Sequence, residues 1–117
     1  MAINLAKLKA LELPSKEITA EVMGEAQTVK ITAYGDDVSL RITDITENFP
    51  TDSELRIRKL LLEECAGMSA EDAELYISRD GKGAAGVLKE IFALTADFDK
   101  SRKAAREDAK KKSATGV

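Results

Sequence analysis

The chain has 117 residues, 44% hydrophobic, 4% aromatic and 33% charged, with a formal net charge of -3. It holds no His, no Trp and one Cys. That excludes a Ser-His-Asp or Cys-His catalytic arrangement, a His-ligated metal, an intramolecular disulfide and a four-cysteine zinc site.

The N-terminal stretch Met1–Leu13 carries Lys7 and Lys9 inside its apolar run, unlike the uninterrupted run of a signal peptide. Leu5, Leu8 and Leu11 form an apolar set suited to docking on the domain or on another chain. Pro14-Ser15 punctuates the chain. Glu17–Met23 is rich in β-branched residues, Gly24–Gln27 reads as a turn, and Thr28–Tyr34 alternates with Val29, Ile31 and Ala33 on one side. Two such runs joined by a short Gly-containing loop predict an antiparallel hairpin with one buried face.

Gly35-Asp36-Asp37 breaks the strand. Over Val38–Phe49 the apolar residues Val38, Ile42, Ile45 and Phe49 recur at helical spacing, although the first half also alternates as a strand does. The helical stripe spans the whole segment, so a helix is expected, with Asp36 or Asp37 as its N-cap. Pro50 ends it, and Thr51-Asp52-Ser53-Glu54 reads as a capping box opening a helix over Asp52–Cys65, closed by Gly67. Ser69 caps a short helix over Ala70–Ser78, with Asp72 three residues on. Arg79–Gly83 reads as a loop, and a last helix is expected from about Ala84 to about Ala109, with Val87, Leu88, Ile91, Phe92, Leu94 and Phe98 as its apolar face.

The charge is segregated along the chain. Residues 98–117 hold seven Lys or Arg against three acids, a net of +4, while the other 97 residues hold 11 bases against 18 acids, a net of -7. After Phe98 the only large apolar residue is Val117, so the basic end is expected to fray. The reading is an α+β chain: a small N-terminal antiparallel hairpin packed on three to four helices. Residues 1–98 form a single domain, and 99–117 form a basic polar tail or linker. No stretch approaches the ~20 apolar residues of a membrane helix. The acidic body and a Lys run without interleaved aromatics argue against nucleic acid.

Gly81-Lys82-Gly83-Ala84-Ala85-Gly86 is a literal G-x-G-x-x-G. A dinucleotide site needs a preceding strand and a βαβ unit, and here a helix precedes it. Gly81, Gly83 and Gly86 are therefore read as a helix–helix loop and candidate hinge. Cys65 has no histidine to act as its base and reads as a small buried residue. The carboxylates of Glu63-Glu64, Glu71-Asp72-Glu74 and Asp97-Asp99 read as solvated helix faces. No residue set points to an enzyme, a cofactor or a metal. The triplet Leu60-Leu61-Leu62 cannot face one direction, and surplus apolar helix surface marks a partner or self-association. Ile57 and Leu61, with Ile91, Phe92 and Phe98, are the candidate partner-binding residues.

Three stretches carry a resemblance: the hairpin Glu17–Met23 and Thr28–Asp37, the charged block Asp52–Cys65, and the last helix Val87–Leu94 leading into a Lys-rich end. In this order they resemble the tail assembly chaperones of long-tailed, lambda-like bacteriophages, over about residues 15–112. The resemblance rests on size, layout and sequence character, since that family has no sharp motif. It implies a non-enzymatic protein of the host cytoplasm, absent from the mature virion. Such a protein coats the hydrophobic tape measure protein and keeps it soluble until tail tube subunits polymerise around it. It also implies a frameshift-extended form that recruits the tail tube protein. Lys110-Lys111-Lys112 would then mark a slippery site, and the basic end a linker. Other small phage adaptors, such as a head–tail connector or tail completion protein, are the alternative.

Overall fold

The computed structural model describes residues 12–115, with side chains through Asp108. Two strands, β1 (Ser15–Val22) and β2 (Glu25–Thr32), precede four helices: α1 (Asp36–Asn48), α2 (Ser53–Ala66), α3 (Ala70–Arg79) and α4 (Gly81–Thr115). The chain is α+β, with the hairpin followed by the helices as its spacing predicts.

The strands pair antiparallel with Val22 opposite Glu25 and Ile18 opposite Val29. Ile18, Ala20, Val22, Val29 and Ile31 join the core, while Thr19, Thr28 and Lys30 are exposed. The turn is Met23-Gly24, tighter than the four-residue loop expected over Gly24–Gln27. Both residues have positive φ, 54° and 83°, which matches a two-residue turn to the right-handed twist of the strands. Gly24 adopts this conformation at no steric cost, whereas Met23 does so against its Cβ.

Gly35 occupies the N-cap of α1 without a side-chain cap, so the expected caps Asp36 and Asp37 lie instead in the first turn, one and two residues inside it. There they favour the positive end of the helix dipole. The capping box at Thr51 does not form. Asp52 is the N-cap of α2 and its carboxylate takes Arg56 at 2.9 Å, while Glu54 pairs with Arg58. Gly67 closes α2 in the left-handed conformation (φ 68°), and Ser69 Oγ caps α3 by accepting from the Asp72 N–H at 3.1 Å. These two ends behave as the residues foretell.

Helix α2 crosses the centre of the molecule, in contact with α1, α3, α4 and β2. Neighbours on several sides explain why Leu60, Leu61 and Leu62 are all buried although they point in different directions. They form the core with Ile31, Ala73, Tyr76, Val87, Leu88 and Ile91.

Helix α4 begins at Gly81, three residues before its expected start, and runs to Thr115, past its expected end near Ala109. Ala, Lys, Arg and Glu dominate its second half, and these are strong helix formers that need no apolar face to propagate a helix already begun. Phe98 is the last buried side chain of α4 among the described residues, with the Arg102 guanidinium over its ring at 4.8 Å. Residues 103–108 are all exposed, so the basic segment leaves the body as helix. The N-terminal arm with Leu5, Leu8 and Leu11, and the side chains of Lys110, Lys111 and Lys112, lie outside the described residues.

Candidate interaction surface

Of the five apolar residues expected to bind a partner, three are core. Leu61 and Ile91 are 0% exposed and Phe98 is 8% exposed. Leu61 is enclosed because α2 has neighbours on several sides, and Ile91 because the hairpin lies along α4. Phe98 is covered by Arg102, which binds Asp36 at 2.9 Å and also Asp99. These contacts hold Arg102 more firmly in its charged form, with its pKa pushed above the usual guanidinium value.

Ile57 and Phe92 remain at the surface. Ile57 is half-buried and Phe92 is 45% exposed. They share a groove of about 490 Å³ between α2 and α4, lined by Ser53, Glu54, Ile57, Arg58, Ala85, Leu88, Lys89 and Phe92. Phe92 is held by an edge-on contact with Tyr34, ring centroids 6.4 Å apart at 83°. Tyr34 is fixed in turn, its backbone N–H donating to the buried Thr95 Oγ1 at 3.2 Å. The aromatic wall of the groove is thus positioned from below. Further exposed apolar side chains are Leu40 on α1, Phe49 after it, Leu55 on α2, Leu75 on α3 and Met23 at the hairpin turn.

The glycine-rich segment is helix, not loop: Gly81, Gly83 and Gly86 fall in the first two turns of α4. The element before it is α3 and only Asp80 intervenes, so the strand-turn-helix setting of a dinucleotide loop is not formed. Gly83 has a packing reason. A Cβ there would lie 2.4 Å from the Glu21 carbonyl oxygen, 2.6 Å from Asp80 Oδ2 and 2.9 Å from Tyr76 Oη. Gly81 and Gly86 meet nothing within 4 Å. Of these three glycines, only Gly83 is closely approached by the backbone of β1.

Around that approach lies a clamp that sequence reasoning missed. Asp80 Oδ1 accepts from the Gly83 N–H at 3.1 Å, which caps α4, and Oδ2 accepts from the Met23 N–H at 2.8 Å. Tyr76 Oη donates to the Glu21 carbonyl at 2.9 Å. One carboxylate and one phenol thereby tie the strained hairpin tip to the α3–α4 corner. A signal was present, since an Asp three residues before Gly83 is good N-cap spacing. The glycines around it suggested a loop instead.

Cys65 is buried at 3% exposure, and burial, reinforced by the charges of Glu64 and Asp37, pushes its thiol up to about 11. It is held as the neutral thiol, the opposite of an activated nucleophile. The acidic pairs named above stand on exposed helix faces or at their margins. Among the described residues no three Cys, Asp or Glu side chains converge as a metal site, and no helix is long and apolar enough to cross a membrane.

Comparison of the chain with protein-family models, with curated proteins and with solved structures finds no match in any of the three.

Proposed function

We propose that this chain is a tail assembly chaperone of long-tailed bacteriophages that binds the tape measure protein and keeps it soluble while the tail tube polymerises. The observation that carries the reading is the α2–α4 groove, an apolar floor of Ile57, Ala85 and Leu88 walled by the exposed Phe92. It is a shape that takes the apolar side of an amphipathic helix. A tape measure protein is long, helical and hydrophobic, so a small chain with such a groove shields one stretch of it at a time. The acidic body, with a net charge of -7 over residues 1–97, keeps the loaded complex dispersed.

 

On this reading the frameshift-extended form carries its second domain beyond the basic segment, near Lys110–Lys112. The outgoing helix would hold that domain, which recruits the tail tube protein, clear of the client groove. Several copies along one client would also touch one another. The protein works in the host cytoplasm and leaves before the virion is complete.

The test is co-expression with the tape measure protein. Wild-type chain is expected to raise the soluble yield of the client and to co-purify with it. Phe92→Asp and Ile57→Asp are expected to fold and lose the client, whereas Leu61→Asp buries a charge in the core and unfolds. Retention of full client binding by folded Phe92→Asp and Ile57→Asp would refute the groove assignment. Detection of the chain by mass spectrometry of purified virions would favour a head–tail connector or tail completion protein instead.

A further inference from the structure

The groove between α2 and α4 leaves a large aromatic side chain in water. Phe92 is 45% exposed and walls the groove beside Ile57, Ala85 and Leu88. The described chain begins close by. Leu13 is itself 42% exposed, and its Cδ2 lies 3.4 Å from where a Cβ on Gly35 would stand. The residue before Gly35 is Tyr34, whose ring meets Phe92 edge-on. The path Leu13–Gly35–Tyr34–Phe92 thus joins the start of the described chain to the aromatic wall of the groove.

Eleven residues precede that start. Leu5, Leu8 and Leu11 recur at a spacing that places them within ~120° of one another on a helix, with Lys7 and Lys9 flanking them. As a helix, eleven residues measure ~16 Å, and the groove wall from Ala85 to Phe92 measures ~12 Å. The arm therefore matches the groove in length and in the width of its apolar stripe. The apolar cleft beside Met23 and Leu75 lies at the hairpin tip, about 25 Å further along the eight residues of β1.

We propose that residues 1–11 of the same chain occupy the α2–α4 groove, with Leu5 and Leu8 against Phe92, Ile57 and Leu88. Tethered at Leu13, the arm has an effective concentration of ~1 mM or more at the groove. It fills the groove even where a free peptide of the same sequence binds weakly. On the rim, Arg58 is paired with Glu54, while Lys89 is a like charge to Lys7 and Lys9. The contact is therefore apolar in character and tightens as salt screens that repulsion. A client helix competes with the arm for the groove, a consequence that rests on the chaperone reading. The docking itself needs no client and is tested without one.

The chain holds no Trp, so Phe92→Trp places a single emitter in the groove wall. Its fluorescence is read in the full chain, with and without the paired change Leu5→Asp and Leu8→Asp, at ~1 µM and ~100 µM. With the native arm the indole is expected to be shielded equally at both concentrations, and more so in ~500 mM than in ~50 mM NaCl. The paired change is expected to shift its emission to the red and to raise acrylamide quenching at least about twofold, because each leucine withdrawn from water is worth about tenfold or more. Circular dichroism checks that the variants fold. If Phe92→Trp does not fold, the amide signals of Ile57, Ala85 and Phe92 give the same reading with the groove unaltered, as shifts between the native chain and the Leu5→Asp, Leu8→Asp chain. An indole or amide set indifferent to the paired change would overturn the proposal. So would shielding that appears only toward ~100 µM, since it would come from a second copy.

Discussion

Replacing Gly83 and Gly86 by Ala separately should move stability in opposite directions. Both glycines sit near the start of one helix, where Ala is favoured over Gly by up to about 1 kcal/mol. At Gly86 nothing lies within 4 Å of the new Cβ, so the gain is kept. At Gly83 the new Cβ would be 2.4 Å from a backbone oxygen of β1, and the strand must move away. That retreat breaks the Tyr76–Glu21 bond, worth about 1 kcal/mol, and the charged Asp80–Met23 bond, worth about 1.5–3 kcal/mol. Less the helix gain, Gly83→Ala should cost roughly 1.5–3 kcal/mol. At ~4–8 °C per kcal/mol this lowers Tm by roughly 6–24 °C, while Gly86→Ala raises it by a few degrees. Thermal denaturation by circular dichroism reads both. A Gly83→Ala protein as stable as wild type would mean that β1 does not press on α4 there, and the clamp would fall with it.

Met23→Asn should stabilise the fold by up to about 1 kcal/mol, because Asn tolerates the left-handed conformation that Met23 holds at φ 54°. The 69% exposed side chain gives up little burial in exchange. A fall in Tm would show that Met23 packs more than its exposure implies. Cys65 should resist a thiol reagent at pH 8 in the folded protein and react at once in denaturant. Since its folded pKa is raised to about 11, its contribution is complete below the unfolded thiol pKa near ~9 and is lost as pH climbs toward 11. Cys65→Ala should therefore flatten the loss of stability between pH ~9 and ~11, by at most about 2 kcal/mol. An unchanged alkaline slope would remove the thiol as its cause.

Every helix and both strands were legible wherever period and punctuation agreed. The stripe Val38–Ile42–Ile45 outweighed the short alternation at its start, and Gly67 and Ser69 marked their helix ends because each offers a backbone conformation or a hydroxyl that the neighbouring residues cannot. Errors arose where one residue had two available partners. The helix starts at Ser53 with Asp52 in the N-cap position, one residue later than a Thr51 cap requires, and the Asp52 carboxylate binds Arg56. Gly81–Gly86 looked like a loop because glycine weakens a helix interior, yet the Asp80 cap and the tight approach of β1 favour helix there, and Gly83 is the residue that permits the approach.

The interaction surface was harder to read, for a reason of geometry. Helical spacing tells which side chains share a face, but not how many faces are covered. Leu61 and Ile91 have the same spacing signature as Phe92, and only the contacts of α2 and the hairpin across α4 separate core from surface. Leu40 illustrates the converse. It sits off the helical stripe of α1, although the strand-like alternation Val38–Leu40–Ile42 groups it with two residues that pack on the core. Once the segment is a helix, that alternation has no structural meaning and Leu40 is left opposite the core. A single exposed leucine is ordinary on a protein surface. Helical spacing therefore separates Leu40 from the core without marking it as a contact residue. It is the shared groove of Ile57 and Phe92 that distinguishes them from it.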